Sequence, residues 1–213
     1  MSSTRERVVV IGASGHAKVV IELLRATERY EIAGCVDPKG SGDVLGAPVL
    51  GGDDVLPQIL LQGVFHAFVA IGDNALRRAV FARVRALGFG LVAAVSPRAT
   101  ISPSARIGEG VAIMGGVTVN ALARIGDGAI VNTNASIDHD CEVGAFVHCA
   151  PGTHLAGNVT IGEGAFLGVG VNAIPGVRIG AWSVLGAGAT VVCDIPPNVT
   201  AVGVPARPLG ART

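Results

Sequence analysis

Asp138-His139-Asp140 is the stretch of this sequence most suited to chemistry. A carboxylate beside an imidazole favours its protonated form and raises its basicity, which suits a general base near neutral pH. His148 and His154 follow closely. A second cluster lies near the start, where the apolar run Val8-Val9-Val10-Ile11 leads into Gly12-Ala13-Ser14-Gly15-His16. This reads as a strand, a glycine turn and the first turn of a helix. Free N–H groups and the helix dipole favour an anion there, and Gly12 and Gly15 let backbone approach a phosphate. The pattern is G-x-x-G-H rather than G-x-G-x-x-G, so it does not point to a nicotinamide dinucleotide. Asp37, at the end of the next strand, suits a contact to a ribose or base. Gly72 ends the third strand, at the carboxyl edge where open α/β sheets bind ligands. The four cysteines form no C-x-x-C pair, and Cys141 and Cys149 read as small core residues rather than nucleophiles.

Two kinds of element must position these groups. From Val95 the chain reads in sixes: Val95, Ile101, Ile107 and onward to Leu185 and Val191 hold one register without insertion, and fifteen of the seventeen positions are Ile, Val or Leu. Cys149 and Ala173 are the exceptions. Four residues after each comes a residue that is small or β-branched almost throughout. A period of six marks a parallel β-helix in which three hexads close one triangular coil, which gives between five and six coils here. The aliphatic residue points inward, and Gly or Asn takes the corner, where φ is positive. By this register Ile137 and Cys141 point in and His139 points out. His148 falls half a coil on, so it lies on a different face of the same prism. His154 reads as a surface imidazole.

Before the prism the sequence reads as a doubly wound α/β domain: strands at 8–11, 31–36 and 64–71, helices from the glycine turn to Ala26, from Val55 to Leu61 and from Ala75 to Leu87, and a last strand from Leu91 to Val95. Lys39 to Asp54 reads as a variable loop. Asp73 or Asn74 caps the third helix, Arg77, Arg78, Arg83 and Arg85 fall on its wet faces, and Gly88 ends it. The expected domains are 1–92 and 93–213.

Formal net charge is zero, so no electrostatic attraction to nucleic acid or to a membrane surface is expected. No apolar run approaches eighteen residues and Met1 to Arg7 is charged, which reads as a soluble, cytoplasmic protein without a leader.

The hexads I-G-E-G-V-A, I-G-D-G-A-I and I-G-E-G-A-F resemble those of the left-handed β-helix acyltransferases. Added to them, G-A-S-G-H-A-K, A-I-G-D-N, N-T…D-H-D…H and the closing V-G-V-P-A are similar to the nucleotide-amino-sugar N-acetyltransferases, a group that grades into the sialic acid O-acetyltransferase-like family. The resemblance implies a Rossmann-like domain followed by a left-handed parallel β-helix, assembled as a homotrimer with acetyl-CoA in the grooves between prisms. It implies acetyl transfer to the 4-amino group of a nucleotide-linked dideoxy amino sugar, with GDP-perosamine favoured and a UDP-4-amino-4,6-dideoxysugar next. His139 matches the family's base and Asp140 the acid that raises its basicity. His148 matches a contact to the thioester, and Gly157, Val169 and Ala187 match backbone lining the CoA groove. Ser14, Gly15, His16, Asp37 and Gly72 match the nucleotide-sugar site, and no metal is required. Asp37-Pro38 stands where the UDP-sugar enzymes often carry two acids, which sets uridine in question. The alternatives on the same fold are a sugar O-acetyltransferase, a zinc enzyme of the carbonic anhydrase type built on three histidines, and a trimer that senses nucleotide without catalysis.

Overall fold

The computed structural model describes residues 5–209; Met1 to Thr4 and Gly210 to Thr213 lie outside the described residues. The chain divides into two compact units, Met1–Pro97 and Arg98–Thr213.

In the first unit β1 (Glu6–Ile11), β2 (Tyr30–Val36), β5 (His66–Val69) and β6 (Gly90–Leu91) form a parallel sheet in the order β2-β1-β5-β6. β1 is central, and its run Val8 to Ile11 is buried on both faces, as a strand flanked by parallel neighbours requires. Helix α1 (Gly15–Ala26) buries Ala17, Val20, Ile21, Leu23 and Leu24, one stripe at helical spacing. The Asp73 carboxylate accepts a hydrogen bond from the Leu76 N–H at 2.8 Å and so caps α3 (Asn74–Ala86). Gly88 ends the helix with φ +102°.

Three expectations for this unit are corrected. The loop from Lys39 to Asp54 contains a small antiparallel hairpin, β3 (Asp43–Val44) with β4 (Ala47–Pro48), closed by Leu45 and Gly46, both at positive φ. Strands this short carry no period for a sequence to display. The last segment is two strands, β6 and β7 (Ala94–Val95), separated at Val92-Ala93. Arg77 is not on a wet face: it is 1% exposed, because carbonyls at the end of β5 draw its guanidinium inward.

In the second unit short strands pair in parallel with strands eighteen residues on, as Thr118 with Ser136 and Thr160 with Arg178, so three hexads close one coil. One face runs from Thr100–Ile101 to Thr190–Val191, a second from Arg106–Ile107 to Arg178–Ile179. The third carries Ile130–Val131, His148–Cys149 and Phe166–Leu167 and ends in Thr200–Val202 with Arg207–Pro208 antiparallel to it. The inward register is buried from Ile113 to Val191. Ile101 and Ile107 remain partly exposed, because the first coil has no coil beneath it.

The corner residue is the third after each aliphatic position, and φ is positive at every sixth residue from Gly110 to Gly188. The glycines directly after the aliphatic residues have a different cause. A Cβ on Gly126 would lie 2.5 Å from the Ala145 nitrogen, so glycine there serves the approach of coil to coil rather than a positive φ.

Candidate functional site

His139 and Asp140 occupy one corner of the prism. Asp140 takes the left-handed corner position with φ +57°, a conformation that Asp tolerates well. Leu122, Phe146 and Trp182 share it at equivalent corners, so the backbone there belongs to the fold and the side chain to the site. The His139 Nδ1–H donates to Asp140 Oδ2 at 2.8 Å. A carboxylate only accepts, so Nδ1 carries the proton and Nε2 presents the lone pair of the neutral ring. The ring is 60% exposed. The hydrogen bond to Asp140, then the charge of Asp138, hold the His139 pKa above the usual histidine value. Asp138 is itself ordered, accepting from the Asn120 side-chain amide at 2.8 Å and from the His139 N–H at 2.7 Å, and these bonds hold its carboxyl below the usual range.

One coil on, Gly157 lies directly against the base. A Cβ at Gly157 would stand 2.6 Å from both Cε1 and Nε2 of His139, so the imidazole occupies space that only glycine leaves open. Corner N–H groups bond to the coil before, as Asp140 N–H to Ala121 O at 3.0 Å, but the N–H groups of Thr133, His139 and Gly157, each just before a corner, take no backbone acceptor. Where the preceding residue carries an oxygen it caps them: Asn132 Oδ1 accepts from the Thr133 N–H at 2.8 Å, and Asp138 does the same for His139. Ala156 precedes Gly157 and has no such oxygen, so the Gly157 N–H is uncapped among the described residues.

His148 lies on the face of Ile130 and Phe166, not on that of Ser136 and Ile137, and packs edge-to-face on Phe166 with ring centroids 5.2 Å apart. With Asn132 Oδ1 committed to Thr133, the Asn132 amide N–H₂ points at His148 Nε2, 3.4 Å away, while His148 Nδ1 is buried. Val169 and Ala187 stack on a different corner from His139 and Gly157, linked through Gly188 N–H to Val169 O at 2.8 Å. A single copy of the chain therefore unites His139, Asp140 and Gly157, and leaves His148 and the pair Val169 and Ala187 on other parts of the surface. His154 Nδ1 shares a 2.8 Å hydrogen bond with Ser136 Oγ. Cys141 and Cys149 are buried, and burial raises both thiols, Cys149 to about 12, which leaves no thiolate for nucleophilic attack. Among the described residues no group of three or more His, Cys, Asp or Glu side chains is arranged to hold a metal ion.

The first unit holds a cavity of about 440 Å³, within the range of small-ligand sites, at the carboxyl ends of β1, β2 and β5. Gly12, Ser14, Asp37 and Gly72 line it, with Pro38, Lys39, Asp53, Leu76 and Arg83. Ser14 is the N-cap of α1, but its side chain makes no capping bond, so the N–H groups of that first turn have no side-chain partner from it. Gly15 and Gly72 meet nothing within 4 Å of a built Cβ, which leaves space for a ligand. The two oxygens of Asp37 accept from the Ala13 N–H at 3.0 Å and the Lys39 N–H at 2.9 Å, which fixes the glycine turn to the end of β2.

Two polar groups lie behind this cavity. Arg77 Nη1 donates to the carbonyls of Ile71 and Gly72, both at 3.0 Å, and Nη2 to Asn74 Oδ1 at 2.8 Å. Burial lowers its pKa to about 10, which leaves it charged near neutrality. Of the expected site residues in this unit, Gly15 and His16 do not line the cavity. The His16 Nε2 is buried without a hydrogen bond, and burial, with Arg77 second, lowers the His16 pKa to about 4. Sequence reasoning passed over Arg77, Asp53 and Arg83. The signal available for Arg77 was its place three residues after Asn74, one turn along the same helix face.

Residues 7–84 match the family described as the PglD N-terminal domain. A UDP-N-acetylbacillosamine N-acetyltransferase from Bacillus subtilis (strain 168) is 38% identical over 120 residues, and the match covers 51% of each chain, so it spans about half the length of that relative. PerB from Caulobacter crescentus, solved in complex with CoA and GDP-perosamine, is 52% identical with a TM-score of 0.93, over 98% of this chain and 99% of that one. The acetyltransferase domain of PglB from Neisseria gonorrhoeae, solved in complex with acetyl coenzyme A, is 44% identical with a TM-score of 0.92, over 96% of this chain and all of that one.

Proposed function

Because the chain belongs to the hexapeptide-repeat nucleotide-amino-sugar acetyltransferases, with their left-handed parallel β-helix, we propose that it moves the acetyl group of acetyl-CoA to the 4-amino group of a nucleotide-linked dideoxy amino sugar. GDP-perosamine is the favoured acceptor and a UDP-4-amino-4,6-dideoxysugar the next. The observation that carries this reading is the arrangement at one corner: an imidazole whose Nδ1–H is held by Asp140, whose Nε2 is open, and which lies against Gly157.

His139 Nε2 takes a proton from the sugar amine as the amine attacks the thioester carbonyl. Asp140 keeps the ring in the tautomer that offers Nε2 and stabilises the imidazolium that forms. The oxyanion of the tetrahedral intermediate is held by the Gly157 N–H, the uncapped donor of the residue packed against the His139 ring. His148 fits this role less well, because its Nε2 accepts from Asn132 and its Nδ1 is buried. Collapse expels CoA thiolate. The transfer is direct, without an acyl-enzyme and without a metal.

The cavity of the first unit takes the nucleotide, with diphosphate on the uncapped N–H groups of α1 at Ser14, Gly15 and His16. Gly72 forms the wall over the sugar. The CoA groove takes His148, Gly157, Val169 and Ala187. These lie on different faces and corners of one prism, so a single CoA meets them all only between copies, which supports a homotrimer. The four free cysteines support a cytoplasmic site for the reaction.

The test is release of CoA thiol from acetyl-CoA with GDP-perosamine and with UDP-4-amino-4,6-dideoxyglucose offered separately. Release with one of them supports the reading and fixes the base. Release with neither overturns it.

A further inference from the structure

The cavity of the first unit holds an ion pair that the reaction does not use. Asp53, in the turn Asp53–Val55, is bonded to Arg83 of α3, and both line the cavity. Asp53 and Asp37 are the carboxylates of its lining, and the two are not equivalent. Both oxygens of Asp37 already accept from backbone. Asp53 meets Arg83 through Oδ2, and its Oδ1 accepts no hydrogen bond from the described residues. The same lining carries apolar surface from Pro38, Ala79 and Leu76, the last 54% exposed although it is a leucine, and one further cation, Lys39. Apolar surface in the same lining as a charged pair suits a heteroaromatic ring with a polar edge.

We propose that Asp53 and Arg83 select the base of the nucleotide, and that they select guanine. This rests on the nucleotide-sugar reading above and names its base. The pairing edge of guanine presents one acceptor, O6, followed by two donors, N1–H and the 2-amino group. A carboxylate beside a guanidinium presents the complement: Asp53 accepts from N1–H and the 2-amino group, and Arg83 donates to O6. Uracil presents acceptor, donor, acceptor. Its O2 would face an Asp53 oxygen, and this repulsion adds discrimination against it.

The experiment measures binding of GDP, IDP and UDP to the full chain by titration calorimetry. IDP is guanosine diphosphate without the 2-amino group. The wild type should bind GDP about tenfold tighter than IDP, the worth of one charge-assisted hydrogen bond in a half-exposed site, and about 10–100-fold tighter than UDP. Asp53→Ala should bring the GDP-to-IDP ratio to about one while IDP affinity falls further through loss of N1–H. Arg83→Ala also breaks the ion pair but spares the carboxylate. It should weaken GDP and IDP equally and preserve their ratio. If the pair only anchored the Asp53 turn to α3, the two variants would behave alike and the ratio would survive both; that result overturns the proposal. So does a wild type that binds GDP and IDP equally, or one that prefers UDP, which would still leave a nucleotide-sugar enzyme. Binding of none of the three would overturn this proposal together with the nucleotide-sugar reading.

Discussion

Replacing Gly157 by alanine separates catalysis from stability. The new Cβ would stand 2.6 Å from Cε1 and Nε2 of His139 and 3.2 Å from Nδ1. Ordinary carbon contacts lie at roughly 3.5–4.0 Å, so the ring must move by about 1 Å. It can do so at little cost, because it is 60% exposed and held mainly by the 2.8 Å bond to Asp140. That displacement moves the base off its line to the amine, and about 1 Å at a reacting group costs about 10²-fold in rate. Gly157 is not among the residues of positive φ, so alanine suits its backbone. Alanine there restricts the unfolded chain and is worth about 0.4–1 kcal/mol, which corresponds to roughly 1–4 °C in Tm for a chain of this size. The expected result is kcat lower by about 10²-fold at saturating acetyl-CoA, with Tm unchanged or raised. In the His139→Ala background the same substitution should cost little more, because the group it displaces is gone. Turnover within a few-fold of wild type would refute the argument, and a loss of activity accompanied by a fall in Tm would show that folding, not the base, was disturbed.

His139→Ala should lower turnover by about 10²–10⁴-fold in the thiol-release assay, the usual worth of a general base. The base works only when neutral, and Asp140 raises its pKa, so Asp140→Asn should move the acid limb of the kcat/KM profile to lower pH; Asp138→Asn should move it the same way. A limb unmoved by either change would remove His139 from the titration. Arg77→Ala leaves the carbonyls of Ile71 and Gly72 without their donor; it should cost about 2–4 kcal/mol in urea unfolding and raise KM for the nucleotide sugar more than it lowers kcat. His16 has a folded pKa of about 4 against 6.5, so as pH falls below 6.5 the unfolded chain takes a proton that the folded one refuses. Stability should decline toward pH 4 by up to about 3 kcal/mol, and His16→Gln should flatten that slope.

The prism was legible because one repeat of six leaves a single solution: Ile137 and Cys141 inward, His139 outward, His148 on another face. The glycine turn and the second strand were legible for the same kind of reason, a clear punctuation between apolar runs. What escaped were contacts set by tertiary geometry. The burial of Arg77 depends on carbonyls that converge only when β5 and α3 are in place. The approach of Gly157 to His139 depends on the coil rise, and a sequence shows only that they are eighteen residues apart. Asp53 and Arg83 meet across thirty residues through a turn and a helix that the pattern does not align. The hairpin at Asp43 to Pro48 is too short for periodicity to register.

The central claim is direct acetyl transfer to an amine with His139 as base. Its most direct test is the initial rate of CoA thiol release with GDP-perosamine beside its 4-hydroxy analogue, with the product mass read for each. The account predicts fast release and one added acetyl group with the amine, little with the alcohol, and loss of both signals in His139→Ala. Acetylation of the alcohol at a matching rate, or undiminished turnover in His139→Ala, would contradict it.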